Sequence, residues 1–160
     1  MLMGIPDILS PELLKILMEM GHGDQILLAD GNFPGASMAR RLIRADGHGV
    51  PELLDAILKL MPLDRYVKAP VQLMQVVPGD AVETPIWQTY REIVYRHAPA
   101  AADIEHVERF AFYERAQKAY AIVQTGERAH HAAKGRSGMR EGGQALCPLA
   151  ICMSRSSCEP

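Results

Sequence analysis

SPELLKILMEMGHGDQILLAD, residues 10–30, is the stretch whose reading decides the fold. Ser10 suits a helix N-cap, Pro11 a first helical position where its missing N–H costs nothing, and Glu12 puts an acid in the first turn. Leu13, Leu14, Leu17 and Met18 then recur at helical spacing, and Gly21 stops the run. Within four residues the pattern changes. Ile26-Leu27-Leu28-Ala29 is continuously apolar, too short for a helix, and closed by Asp30-Gly31-Asn32, so it predicts a buried strand.

The alternation continues outward from there. Residues 51–61 predict a helix with Leu53, Leu54, Ile57, Leu58 and Met61 inward, stopped by Pro62. Residues 71–77 predict a strand, and Thr84-Pro85 opens an amphipathic helix carrying Trp87, Tyr90, Ile93 and Val94. Residues 112–118 read as a short helix and 120–123 as a last strand. Doubly buried strands separated by helices predict an α/β fold: a single layered domain with a largely parallel sheet flanked by helices. After Ala129 neither periodicity survives. Residues 130–160 hold Gly-Arg-Ser-Gly, Glu-Gly-Gly-Gln and Ser-Arg-Ser-Ser around one apolar patch at 146–153, and they read as a poorly ordered tail on a 1–129 domain.

Composition narrows the function classes. A chain of 160 residues, 48% apolar, can build one proper core. A net charge of −2 gives no reason to expect nucleic acid or an anionic membrane as partner. No apolar run is long enough to span a bilayer, and the N-terminus lacks the pattern of a secretory signal, so a cytoplasmic protein is expected. All three cysteines (Cys147, Cys152 and Cys158) fall in the tail, so the domain is built without disulfides.

Three places could carry chemistry. His22 is flanked by Gly21 and Gly23, which clear space around an imidazole suited to proton transfer; a helix-ending turn with a surface histidine reads equally from the same residues. Asp30 follows the first strand, where ligands of open α/β sheets bind, or else it closes a local turn on backbone N–H groups. Arg109 stands beside an aromatic run and could fork onto several hydroxyls, or pair with Glu108 or Glu114. Residues 44–49 read as a charged loop, and no phosphate-binding glycine motif is present. His130-His131 with the tail cysteines supplies soft-metal ligand types without a zinc spacing, so no metal is expected.

Taken together, the segments resemble the fucose mutarotase/ribose pyranase family. The resemblance rests on Leu9-Ser10-Pro11-Glu12-Leu13-Leu14, Glu19-Met20-Gly21-His22-Gly23-Asp24, Asp30 with Asn32-Phe33-Pro34, Ile43-Arg44-Ala45-Asp46-Gly47, Arg109-Phe110-Ala111-Phe112-Tyr113-Glu114-Arg115-Ala116 and Gly126-Glu127-Arg128-Ala129. The Arg109–Ala116 run favours the fucose branch. The resemblance implies a single-domain subunit in a homo-oligomeric ring, commonly a decamer, with sites near subunit contacts. It implies interconversion of the anomers of L-fucose, an isomerase reaction needing no cofactor or metal. His22 takes the place of the catalytic histidine, and Asp30 and Arg109 those of sugar-binding residues. An Asp30 carboxylate near His22 would also tune the imidazole.

The resemblance stops after Ala129. Where the family continues with Tyr-Gly-Asn and an apolar strand, this chain has His131, Ala132 and Ala133 and then Lys134-Gly135-Arg136-Ser137-Gly138-Met139. That implies a lost final strand and lost sugar ligands, with His131 a doubtful substitute for the tyrosine. Two other readings follow: an impaired subunit that modulates assembly of intact copies, or a mutarotase or pyranase for another sugar such as ribose.

Overall fold

The computed structural model describes residues 2–76, 84–101, 103–128 and 150–156. Its elements in chain order are α1 (Pro11–Glu19), β1 (Gln25–Ala29), α2 (Gly35–Met38), β2 (Leu42–Ala45), α3 (Val50–Leu58), β3 (Val71–Met74), α4 (Ile86–His97), β4 (Ile104–Val107), α5 (Arg109–Lys118), β5 (Ala121–Thr125) and β6 (Ala150–Ser154), with a 3-10 turn at Pro99–Ala101 before β4. The expected caps form. Ser10 accepts a hydrogen bond from the Leu13 N–H at 3.1 Å, and Pro11 opens α1. The buried face of α1 is Leu13, Ile16 and Leu17, while Met18 points to solvent at 82% exposure. The predicted inward stripe therefore turns by one position at that residue.

The six strands lie in the order β2-β5-β1-β6-β3-β4. β1 with β5, β2 with β5 and β3 with β4 are parallel pairs, and β6 runs antiparallel to both β1 and β3. Five strands thus point one way, as a largely parallel sheet requires. They define a carboxyl rim, where Asp30 and Arg109 follow β1 and β4, and an amino rim, where His22 precedes β1.

The sheet is buried on both faces. Ile26, Leu28, Ile151 and Met153 join the core under α1, α3 and α4, while Leu27, Ala29, Ala150 and Cys152 join the core under α5 with Phe112 and Ala116. The alternation in β1 and β6 is geometric, not chemical: every other residue goes to each core, and both cores want apolar side chains.

The tail reading is corrected at this point. Within 130–160, residues 150–154 form the central strand, each of them buried. An apolar patch buried on both faces has no amphipathic signature, and its glycine- and serine-rich surroundings masked it. The domain's last strand is present, supplied from beyond residue 129. Residues 129–149, His131 among them, lie outside the described residues.

Candidate active site

His22 is the second residue of a tight turn. The Asp24 N–H donates to the Gly21 carbonyl at 3.3 Å, and Gly23 has φ +79°, the left-handed geometry that favours glycine at the third position of a type II turn. The Gly21 N–H donates to Asp24 Oδ2 at 2.7 Å, which locks the turn. The imidazole is about half exposed, with Nε2 4.0 Å from Oδ2 of Asp64 and its ring edge-on to Tyr66 at 6.0 Å between centroids. Asp64 is buried, 2% exposed, and its Oδ1 accepts from the Tyr66 N–H at 2.9 Å. A buried carboxyl group thus stands close to an accessible imidazole of the kind that carries protons.

The late strand builds this arrangement. The Gly23 N–H donates to the Arg155 carbonyl and the Arg155 N–H to the Asp24 carbonyl, both at 3.0 Å. The Asp64 N–H donates to the Ser154 carbonyl, and the Ser156 N–H to that of Pro62, again at 3.0 Å. The Arg155 guanidinium donates to the Leu17 and Met20 carbonyls, orphan acceptors at the end of α1. Residues 154–156 are therefore the strip to which both the His22 turn and the Asp64 loop are tied. Sequence reasoning missed Asp64 because its partner lies 42 positions away and the linking strand was unread.

Asp30 sits at the other end of β1. Its side chain is buried, and Oδ1 accepts from the N–H groups of Asn32 and Phe33, each at 3.0 Å. That is the turn-closing role. Side chains of β5 hold the loop: Gln124 donates to the Gly31 and Phe33 carbonyls, and Thr125 Oγ1 to that of Ala29 at 2.9 Å. Arg109 opens α5, with Glu108 as the N-cap accepting from the Phe110 and Ala111 N–H groups. Its guanidinium carbon lies 5.6 Å from the Tyr113 ring centroid, and Tyr113 lies 5.7 Å from Phe33, so two aromatic rings join the Asp30 loop to α5. Arg109 makes no ion pair among the described residues, and its Nε is buried without a partner there. Of the expected partners, Glu108 caps the helix and Glu114 lies within α5; among the described residues the arginine of α5 that pairs with an acid is Arg115, to Glu105 at 3.0 Å.

Asp30 and Arg109 thus share the carboxyl rim, and His22 does not. The five residues of β1 separate the two groups by about 17 Å of strand at roughly 3.4 Å per residue. Within one chain Asp30 does not sit beside His22; the acid there is Asp64. Three clefts of about 470, 480 and 280 Å³ mark the surface, and none is lined by His22, Asp30 or Arg109. Among the described residues, no three of His, Cys, Asp and Glu are grouped to hold a metal ion, and no helix is long and apolar enough to cross a membrane.

Comparison with known proteins gives this geometry its relatives. Residues 3–133 match the model of the RbsD / FucU transport protein family. The chain belongs to that family. It is 49% identical to the fucose mutarotase of Homo sapiens, over 92% of this chain and 97% of that one, a span too long to end at residue 129. It is 48% identical to the L-fucose mutarotase of Actinobacillus pleuropneumoniae serotype 5b, over 82% and 91% of the two chains. Among solved structures of RbsD / FucU proteins, it resembles the fucose mutarotase from Streptococcus pneumoniae in complex with L-fucose. The TM-score is 0.82 at 47% identity, covering 98% of this chain and 99% of the other. RbsD of Bacillus subtilis complexed with D-ribose shares the fold, with a TM-score of 0.59 at 16% identity over 93% and 94% of the two chains.

Proposed function

We propose that the protein is an L-fucose mutarotase, an isomerase that exchanges the α and β anomers of the free sugar by general acid–base catalysis. The observation that carries the mechanism is the accessible His22 imidazole 4.0 Å from the buried Asp64 carboxylate. Mutarotation removes the proton of the anomeric hydroxyl and delivers one to the ring oxygen. The C1–O5 bond breaks to leave an aldehyde, C1 rotates, and O5 adds back to the other face. His22 relays the protons and Asp64 holds its ring, the kind of assistance that typically supplies 10²–10⁴-fold. Asp30 and Arg109 orient hydroxyls, with the Tyr113 face beside them.

These groups lie on opposite rims, so one sugar meets all of them only where the amino rim of one copy abuts the carboxyl rim of the next. Such a head-to-tail contact is heterologous, and it forms a ring where its rotation closes. A homo-oligomeric ring, decameric in the family's common form, and a cytoplasmic pool of free monosaccharide belong to this reading.

Exchange NMR tests it. Saturating one anomeric proton of equilibrated L-fucose should transfer to the other above background with the protein and at background with His22→Ala; full activity in that variant overturns the assignment. Mixed oligomers of His22→Ala and Arg109→Ala should recover activity that neither has alone, because some interfaces then join two intact rims. Substituting D-ribose for L-fucose separates the two sugar preferences. The second reading, an inactive subunit, draws on His131, Ala132 and Ala133 where the family has Tyr-Gly-Asn. It predicts folded protein without transfer.

A further inference from the structure

Away from both sets of candidate residues, a cleft of about 470 Å³ opens over β3 and β4, lined by Val67, Lys68, Gln72, Asp103, Ile104 and Glu105 among others. Gln72 pairs with Cys152 of β6 on one side and Glu105 of β4 on the other, so all three share the face on which α5 packs. The Oε1 of Gln72 is buried with no hydrogen-bond partner among the described residues. A buried acceptor left unpaired costs free energy, and because Gln72 also lines the cleft, a turn of its amide towards the cleft would bring Oε1 a donor from outside.

The walls say which kind. Glu105 is already paired with Arg115 at 3.0 Å, and Lys68 and Asp103 supply one charge of each sign at the rim. The four ionised groups sum to zero, which gives little attraction for a net cation or anion. Acceptors on Gln72 and Asp103 together with a donor on Lys68 suit hydroxyl groups, which donate and accept at once. The volume is within the range that takes a small ligand.

We propose that this cleft is a second binding site, for a neutral polyol of monosaccharide size, with a hydroxyl donating to Gln72 Oε1, others to Asp103, and Lys68 donating to the ligand. It is independent of the anomer-exchange site: it uses none of His22, Asp64, Asp30 or Arg109, and it stands whether or not the chain exchanges anomers.

The probe is xylitol, a linear polyol with no anomeric carbon, added to the full chain and followed by saturation transfer from protein to ligand. Binding should persist in His22→Ala and in Arg109→Ala, which alter the two rims and leave the cleft intact. It should weaken about threefold to tenfold in Gln72→Leu, the range for one neutral hydrogen bond. Asp103→Asn, an exposed substitution that leaves the core alone, should weaken it similarly if Gln72→Leu fails to fold. The proposal is overturned by no saturable transfer, by loss of binding in His22→Ala or Arg109→Ala, or by undiminished binding in both cleft variants. A change of oligomer size in Gln72→Leu by light scattering also overturns it, because a second copy would then be what covers the cleft.

Discussion

The two rims of the sheet hold their candidate residues by different means. On the carboxyl rim, side chains do the holding: Asp30 closes its own turn, Gln124 and Thr125 brace the loop from β5, and Phe33 and Tyr113 stack towards Arg109. Nearly every partner lies in stretches the sequence marks clearly. On the amino rim, backbone does the holding, and it comes from residues 154–156. A backbone donor or acceptor carries no residue identity, so, apart from Arg155, whose guanidinium holds the end of α1, that part of the chain can differ in side chains and still present His22 and Asp64 together. The difference teaches that divergence in sequence is cheapest where the main chain performs the positioning.

Breaking the amino rim at its source should have the largest effect. Ile151 is wholly buried between β1 and β3, and Ile151→Asp would place an unpaired carboxylate in the core. The cost, about 3–5 kcal/mol or more, is comparable to the whole stability of many domains, so insoluble or unfolded protein is expected by circular dichroism. His22→Ala should reduce anomer exchange by about 10²-fold or more while leaving the thermal midpoint within a few degrees of the parent. Equal losses of fold and activity would mean that the turn is structural only.

Smaller changes sharpen the contrast. Arg155→Ala removes charge-assisted bonds to two α1 carbonyls and should destabilise by about 1–3 kcal/mol, with exchange falling severalfold as the His22 turn loosens. Arg155→Lys should recover part of both. A control on neither rim is Asp55, which accepts from Lys59 and His97, each at 2.8 Å, and lies 3.2 Å from Arg96. Chiefly the Lys59 hydrogen bond, then that of His97, brings its pKa from 3.8 down to about 2. A lowered folded pKa contributes stability that is present above the unfolded value and lost as pH falls through the folded one. Denaturant melts should therefore lose about 1–2 kcal/mol between roughly pH 5 and pH 2, a loss that Asp55→Asn abolishes. Least of all, Gly23→Ala meets no atom within 4 Å and pays only for φ +79°, about 1 kcal/mol, with exchange preserved.

What could be read beforehand follows from these physical distinctions. α1, α3, α4 and β1 announce themselves through caps and periodicity, because each buries a broad apolar stripe or run. β2 and β4 were unread, the first taken for a charged loop: as edge strands they carry Arg44, Glu105 and His106 outward and offer few buried positions. β6 was unread for the opposite reason, being apolar on both faces. At the site, glycines flagged His22 and strand position flagged Asp30, but Asp64 becomes visible only once β6 joins residues 21–24 to residues 62–64. The pairing of Arg115 with Glu105, which leaves Arg109 unpaired, likewise depends on where α5 lies over β4.

The place of β6 has a consequence for how the molecule comes into being. Among the described strands it is the last in chain order and the one between β1 and β3, so a nascent chain can assemble β2-β5-β1 and β3-β4 as two half-sheets before the strand that joins them is made. Until residues 150–154 are synthesised, two facing edges with unpaired N–H and C=O groups stay open, and closure spans more than a hundred residues of chain between β1 and β6. Those open edges are the vulnerable surface of every ribosome-bound or C-terminally clipped copy, and a chaperone that shields extended backbone would find its substrate there.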